Sequence, residues 1–114
     1  MAEISKDTQK DISQLQMLQR QLQMLAAQKQ QFELSVVQAD ATLVELEKAS
    51  GKAYKAIGAV LIESKPKEII TEINEKRKEA NERIATLKTQ EERLAKKAEE
   101  LQKKVQKDLE NKAS

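Results

Sequence analysis

Cysteine, histidine and tryptophan are absent from this sequence of 114 residues, and phenylalanine, tyrosine and proline occur once each. Without cysteine there are no disulfides and no thiolate metal sites. Without histidine, the chain lacks the commonest general base and a common zinc ligand. Its two glycines do not form a phosphate-binding loop. The sequence therefore predicts no enzyme, no metal site and no cofactor.

Long apolar runs and a strong charge of one sign are missing as well. No segment approaches the ~18 apolar residues that span a bilayer, and the polar N-terminus, MAEISKDTQKD, does not resemble a secretory signal. With 21 basic and 19 acidic residues the formal net charge is +2, which does not indicate nucleic acid or an acidic membrane as a partner. We expect a soluble, cytoplasmic protein.

Charged residues are what the sequence has in abundance. They make up 35% of the chain, whereas aromatic residues make up 2%, too little bulky material for a thick core. This composition is typical of long helices and coiled coils. Disorder is the competing interpretation, but the hydrophobic residues, 39% of the chain, recur periodically, and this disfavours it.

The first half carries an apolar heptad repeat. Nine of its ten a and d positions are apolar, and only Lys29 interrupts the series Leu15, Leu18, Leu22, Leu25, Lys29, Phe32, Val36, Ala39, Leu43 and Leu46. Such a repeat predicts a coiled-coil helix, over residues 5–47. Towards the N-terminus the repeat decays, because Thr8 and Asp11 fall on the same seam.

The second half predicts a helix of similar length, over residues 67–112. Nine of its twelve a and d positions are apolar, in the series Ile70, Ile73, Arg77, Ala80, Ile84, Leu87, Glu91, Leu94, Ala98, Leu101, Val105 and Asp108. Pro66 suits the first turn, with Ser64 or Lys65 as the cap. Two seams of equal length and a short connector favour an antiparallel helical hairpin over pairing between chains. The prediction is one mainly α-helical domain, residues 1–114.

The segment GKAYKAIGAVLIESKP, residues 51–66, holds both glycines, the proline and the tyrosine. Its apolar residues are typical of strands, and Gly58 supplies a turn or bulge. We predict a β-hairpin over residues 52–64, with strands near 52–57 and 60–64. Gly51 would end the first helical region or lie in the loop after it.

Such a hairpin is marginally stable alone and would expose unpaired strand edges and apolar side chains. Pairing with hairpins of other subunits in a shared sheet or barrel would cover both. The residues predicted to mediate this oligomerisation are Tyr54, Ile57, Gly58, Val60, Leu61 and Ile62. The alternative is a local loop tucked against the helix ends.

These features together resemble a known family. Tyr54, Lys55 and Gly58 form a Tyr-Lys-x-x-Gly core that is followed by an aliphatic strand, and QEERL, residues 90–94, lies in the second helix. The arrangement is similar to the beta-class subunit of prefoldin, especially its archaeal form, over essentially the entire chain. One β-hairpin rather than two resembles the beta class and not the alpha class.

The resemblance implies a function. Prefoldin is an ATP-independent chaperone, a hexamer of alpha-class and beta-class subunits whose hairpins form β-barrels from which the coiled coils project. Their distal tips bind non-native proteins and pass them to a group II chaperonin. The partners implied are an alpha-class subunit, further beta-class copies, unfolded clients and that chaperonin.

The tips would consist of residues 1–18 facing residues 98–114. Because Asp11 and Asp108 occupy core-type positions there, we expect the helices to separate locally and expose apolar side chains. The predicted client-binding residues are Ile4, Ile12, Leu15, Met17, Leu18, Leu101, Val105 and Leu109. Alternatively these are ordinary residues of the seam, of frayed ends or of the helix surface.

Two other functions remain open at this point. A coiled-coil tether or scaffold would use its seam to bind one defined partner. A nucleic-acid binder would use its lysines and would bind in a salt-sensitive way, but the balanced charge and scarce aromatic residues disfavour it.

Overall fold

The computed structural model describes residues 4–48 and 51–113. In chain order these form helix α1 (Lys6–Lys48), strands β1 (Ala53–Ile57) and β2 (Val60–Ser64), and helix α2 (Pro66–Ala113). The predicted fold, two long helices with a short antiparallel β-hairpin between them, is confirmed. Each helix bound differs from the predicted one by a single residue. Residues 1–3 and 114 of the predicted tips, and 49–50 of the connector, lie outside the described residues.

Local hydrogen bonds explain where the helices begin. The Thr8 amide donates to the Ser5 side-chain oxygen at 3.1 Å, so Ser5 caps α1 and satisfies an amide that has no partner within the helix. The α2 helix begins at Pro66, whose missing N–H and fixed φ suit the first helical position. The Lys65 carbonyl accepts the first bonds of α2, from the amides of Glu68 at 3.0 Å and Ile69 at 3.2 Å.

Two compact units can be distinguished along the chain. We call Lys29–Ala85 the hairpin unit, because it contains both strands, and Met1–Gln28 with Thr86–Ser114 the terminal unit. Both helices run through both units, so neither unit has helices of its own.

In the hairpin unit the helices pair in antiparallel orientation. An Arg77 guanidinium nitrogen lies 2.8 Å from an Asp40 carboxylate oxygen, and the Arg83 guanidinium lies 5.8 Å from the centre of the Phe32 ring. The lower-numbered residue of α1 thus meets the higher-numbered residue of α2. Ala80, at a predicted seam position, is buried.

The terminal unit shows the same antiparallel order. Lys104 lies 3.1 Å from Asp11, Leu18 and Leu101 line one groove, and Leu25 lines another with Leu94. Successive residues along α1 therefore contact residues that lie progressively earlier in α2. The described core of this unit is thin, as a single seam predicts, with Leu18, Leu87 and Val105 buried.

Candidate assembly and client-binding surfaces

The β-hairpin turns through two residues. Ile57 pairs with Val60, which leaves Gly58 and Ala59 as the loop. Gly58 has a φ of 59°, and no described residue other than glycine has a positive φ. A positive φ at the first loop residue alone is the pattern of a type II′ turn, whose twist matches that of the flanking strands. Glycine fits this position because other residues rarely adopt the conformation.

Pairing register divides the hairpin side chains between two faces, because residues directly opposite each other point the same way. One face carries the pairs Ala53–Ser64, Lys55–Ile62 and Ile57–Val60, and the other carries Tyr54–Glu63 and Ala56–Leu61. Both faces therefore carry large apolar side chains. Ala53 is buried and Lys55 is partly buried, whereas the other residues nearer the turn are exposed.

The five apolar residues predicted for oligomerisation all lie at the surface. Their exposed fractions range from 44% for Ile62 to 71% for Leu61, with Tyr54, Ile57 and Val60 between. The described sheet has two strands only, so each strand has one edge without a strand beside it. Neither face of the hairpin is covered near its turn, and the alternative of a local loop tucked against the helix ends is not what forms.

An ion pair ties the hairpin to α2. Lys55 Nζ, on β1, lies 2.7 Å from both carboxylate oxygens of Glu72. The hydrogen bonds from Lys55, and then its positive charge, hold the pKa of the Glu72 carboxyl below its ordinary value. The pair is partly exposed, so it contributes little to the free energy of unfolding. We assign it a positioning role: it holds β1 on the first turns of α2.

A titration tests this tether. The Glu72 carboxyl, followed by NMR, is expected to titrate below the ordinary glutamate pKa of about 4.3, and in the Lys55→Met chain the midpoint should return towards it. Because the folded-state pKa of Glu72 is lowered, its stabilisation is present at neutral pH and is lost as the pH falls through that pKa. An equal midpoint in both chains would contradict the tether.

In the terminal unit, the predicted local separation of the two helices is wrong. Thr8, a polar seam residue, is 1% exposed and Val105 is also buried. The Thr8 hydroxyl lies 2.8 Å from the Ser5 hydroxyl, so its polar group has a hydrogen-bonding partner within its own helix turn. A satisfied hydroxyl can be buried at little cost, and the helices pack at Thr8.

Asp11, the second polar seam residue, is accommodated by the opposite helix. Lys104 lies beside it, and the hydrogen bond to Asp11 and its charge raise the pKa of the Lys104 ammonium. The Asp11 side chain is 14% exposed. A cation from α2 thus replaces the solvent that the carboxylate loses, and no local separation is required.

The predicted client-binding residues differ in accessibility. Leu18 and Val105 are buried, and Ile12, Leu15 and Leu101 are partly buried. Ile4, Met17 and Leu109 are 41%, 57% and 38% exposed. Ile4 and Leu109 lie near the free ends of their helices. The side chains of Ile4, Met17 and Leu109 are therefore accessible at the surface, whereas the other five predicted residues lie on or beside the seam.

Sequence reasoning passed over three exposed apolar residues of α1. Leu34, Val37 and Val44 lie outside the predicted seam and are exposed. Their spacing of three and seven residues is the signal that would have found them, because it is a heptad pattern on a second face.

Within the described ranges, no group of three acidic side chains is placed to hold a metal ion. The described helices also lack a stretch long and apolar enough to cross a membrane.

Three comparisons with known proteins agree. The family model for prefoldin subunits matches residues 9–112. Prefoldin subunit beta of Archaeoglobus fulgidus is 36% identical over 108 residues, which cover 93% of each chain. The prefoldin beta subunit from Thermococcus strain KS-1 has a similar structure, with a TM-score of 0.86 at 29% identity, over 94% of this chain and 96% of that one.

Proposed function

Since the chain belongs to the prefoldin subunit family, we propose that it acts in an ATP-independent chaperone that binds non-native proteins and delivers them to a group II chaperonin. The observation that carries this proposal is the match to prefoldin beta subunits over nearly the whole chain, in sequence and in structure. The family match at residues 9–112 includes the whole hairpin and all but the outermost residues of the two helices.

Assembly through the hairpin is the first part of the proposal. The chain joins an alpha-class subunit and further beta-class copies through the exposed side chains of Tyr54, Ile57, Val60, Leu61 and Ile62. Burying one such side chain contributes about 1.5–3 kcal/mol. The uncovered strand edges supply backbone hydrogen bonds to a neighbouring strand. Gly58 acts indirectly, by setting the turn that places Ile57 opposite Val60.

Client binding near the free ends of the helices is the second part. Ile4, Met17 and Leu109 offer apolar surface without any rearrangement. Leu18 and Val105 contribute only if the helices open, because both are buried. Each contact is weak and non-directional, which suits partners without a common sequence. When several subunits hold one client at once, their weak contacts add up to a high overall affinity.

A light-scattering assay tests chaperone function. A chemically denatured model protein is diluted into buffer without ATP, alone, with this chain, with an alpha-class prefoldin subunit, or with both. We expect the two subunits together to suppress aggregation at near-stoichiometric amounts, because the client's apolar segments are held at the helix ends. A tether or scaffold would give no protection in any of these arms.

Delivery is tested in the same reaction by adding a group II chaperonin and ATP. The held client should regain activity only after that addition, because holding alone does not fold it. Protection without any transfer to the chaperonin would support a holdase but contradict the delivery step.

A further inference from the structure

Helix α1 carries a second apolar stripe, which we call the outer stripe: Leu34, Val37, Ala41 and Val44. Their spacings of three, four and three residues are those of a and d positions in a coiled coil. Leu34, Val37 and Val44 are 56%, 63% and 48% exposed, and Ala41 is exposed as well. The next positions of the same pattern, Gln30 and Lys48, are polar. The stripe therefore contains two successive a and d pairs, from Leu34 to Val44, over about 15 Å of helix.

The outer stripe is distinct from the seam that α2 covers. In this part of the chain the seam residues are Phe32, Val36, Ala39, Leu43 and Leu46, all partly buried. Arg77 and Arg83 of α2 reach α1 on the seam side, at Asp40 and Phe32. Helix α1 therefore packs on α2 with one apolar stripe and exposes a second stripe on another face.

Charge indicates what kind of helix fits there. From Gln31 to Glu47 the chain has no lysine or arginine and four acidic residues, Glu33, Asp40, Glu45 and Glu47. All four lie directly beside the stripe, at the positions that form ion pairs across a coiled coil. Asp40 is engaged by Arg77. The flanks of the outer stripe are thus acidic, although the whole chain has a formal net charge of +2.

A second copy of this chain does not complement that surface. Among the described residues of α2, Leu109 is the one large apolar side chain with high exposure, so α2 offers no matching stripe. Among the described residues of its helices, the exposed stripe with both a and d positions that a second copy could offer is its own outer stripe, and acidic flanks would then face acidic flanks. Like charges at these positions disfavour pairing.

We propose that the outer stripe docks an amphipathic helix of a different polypeptide, whose apolar a and d residues are flanked by lysine and arginine. Two heptads provide little area, so the docking is weak by itself and sensitive to salt. It adds to an interaction made elsewhere by the same partner, or brings that partner in transiently. This surface is separate from the residues proposed for hairpin assembly and for client binding.

A pair of designed peptides tests the proposal. Both are helical, about three heptads long, with leucine at a and d; one carries lysine at e and g, the other glutamate. Binding of each labelled peptide to the full chain is measured by fluorescence anisotropy at low salt, at concentrations where the peptide alone is monomeric. We expect the lysine peptide to bind more tightly, and added salt to weaken it. Equal binding of both peptides would overturn the proposal.

Matched variants locate the docking. The Leu34→Ser, Val37→Ser, Val44→Ser chain should bind the lysine peptide roughly tenfold more weakly or worse, because the apolar contact area is lost. The control, Met24→Ser, removes an exposed apolar side chain from α1 outside the stripe and should bind as the unaltered chain does. An equal loss in both variants would overturn the assignment.

Three further measurements test the identity of the occupant and the place where it docks. Reversing the flanks with Glu33→Lys, Glu45→Lys and Glu47→Lys should make the chain prefer the glutamate peptide, and an unchanged preference would count against the proposal. Sedimentation of the chain alone should be the same with and without the outer-stripe substitutions. A loss of self-association in the outer-stripe variant would identify a second copy as the occupant and overturn the proposal.

The Val60→Asp, Ile62→Asp chain should still bind the lysine peptide, whether or not hairpin assembly fails. Loss of peptide binding in this chain would assign docking to the hairpin and overturn the proposal.

Discussion

Replacing Val60 and Ile62 together with aspartate is expected to disperse the complex that we propose between this chain and an alpha-class prefoldin subunit. Both side chains are exposed in the single chain, so the hairpin and the helices should fold as before. In a shared sheet both positions would be covered by a neighbouring subunit. A carboxylate buried there without a partner costs on the order of 3–5 kcal/mol. That cost corresponds to a dissociation constant raised by roughly two to four orders of magnitude.

The two single substitutions should differ. Ile62 lies opposite Lys55 and Val60 lies opposite Ile57, so an aspartate at position 62 has a cation beside it and one at position 60 does not. Val60→Asp alone is therefore expected to weaken assembly more than Ile62→Asp alone. The difference between them also reports whether Lys55 leaves Glu72 for the new carboxylate.

Light scattering coupled to size-exclusion chromatography measures the assembly, and circular dichroism checks that the helices remain. The matched control is Met17→Asp with Met24→Asp, which adds the same two charges at exposed apolar positions outside the hairpin and should leave the complex intact. Full-size complexes from the Val60→Asp, Ile62→Asp chain would show that the hairpin is not the assembly site.

The fold follows from local patterns, which explains why it could be predicted. The heptad repeats depend on residue types at fixed spacings and yield both helices. Gly58 between two β-prone segments yields the hairpin and its turn. Antiparallel pairing follows because the connector is too short for other arrangements. Each of these inferences needs only neighbours in the sequence, or a count of residues between elements.

The terminal unit could not be predicted in the same way, because its polar seam residues depend on partners that the heptad pattern does not specify. In the sequence Thr8 interrupts the apolar seam. In the structure its hydroxyl forms a hydrogen bond with the Ser5 hydroxyl, and Ser5 also caps the helix. Asp11 reads as a second break, yet Lys104 meets it only through the register of the two helices. The ion pair between Lys55 and Glu72 likewise depends on how the hairpin meets α2.

The packing of the helices in the terminal unit limits which residues we expect to bind clients. If the helix ends were separated, the apolar seam residues would be the natural binding surface. Because Thr8 and Val105 are buried, the accessible surface near the ends is narrower and centres on Ile4, Met17 and Leu109. Seam residues such as Leu18 can take part only through an opening of the helix pair, which carries its own free-energy cost.

Replacing Ile4, Met17 and Leu109 with serine is accordingly expected to impair client capture severely while the assembly stays intact. All three are exposed, so the fold is not disturbed, and the loss is the apolar contact that each makes with a client. Because several subunits are proposed to hold one client, small losses per subunit multiply, and we expect capture to weaken by at least roughly tenfold. The readout is the amount of complex needed to suppress aggregation of a denatured model protein. The Leu34→Ser, Val37→Ser, Val44→Ser chain, with as many exposed apolar residues removed from α1, should protect normally.

Deleting residues 1–10 and 105–114 separates binding at the exposed residues from binding by opened helices. The deletion also removes the Ser5 cap and the buried Thr8 and Val105, and we expect it to abolish most capture without dispersing the complex. If the deletion abolishes capture but the triple serine variant does not, clients bind the seam after the helix ends open. If the deletion disperses the complex and the isolated subunits still capture clients, assembly depends on the helix ends, and the proposed roles of the hairpin and the ends are reversed.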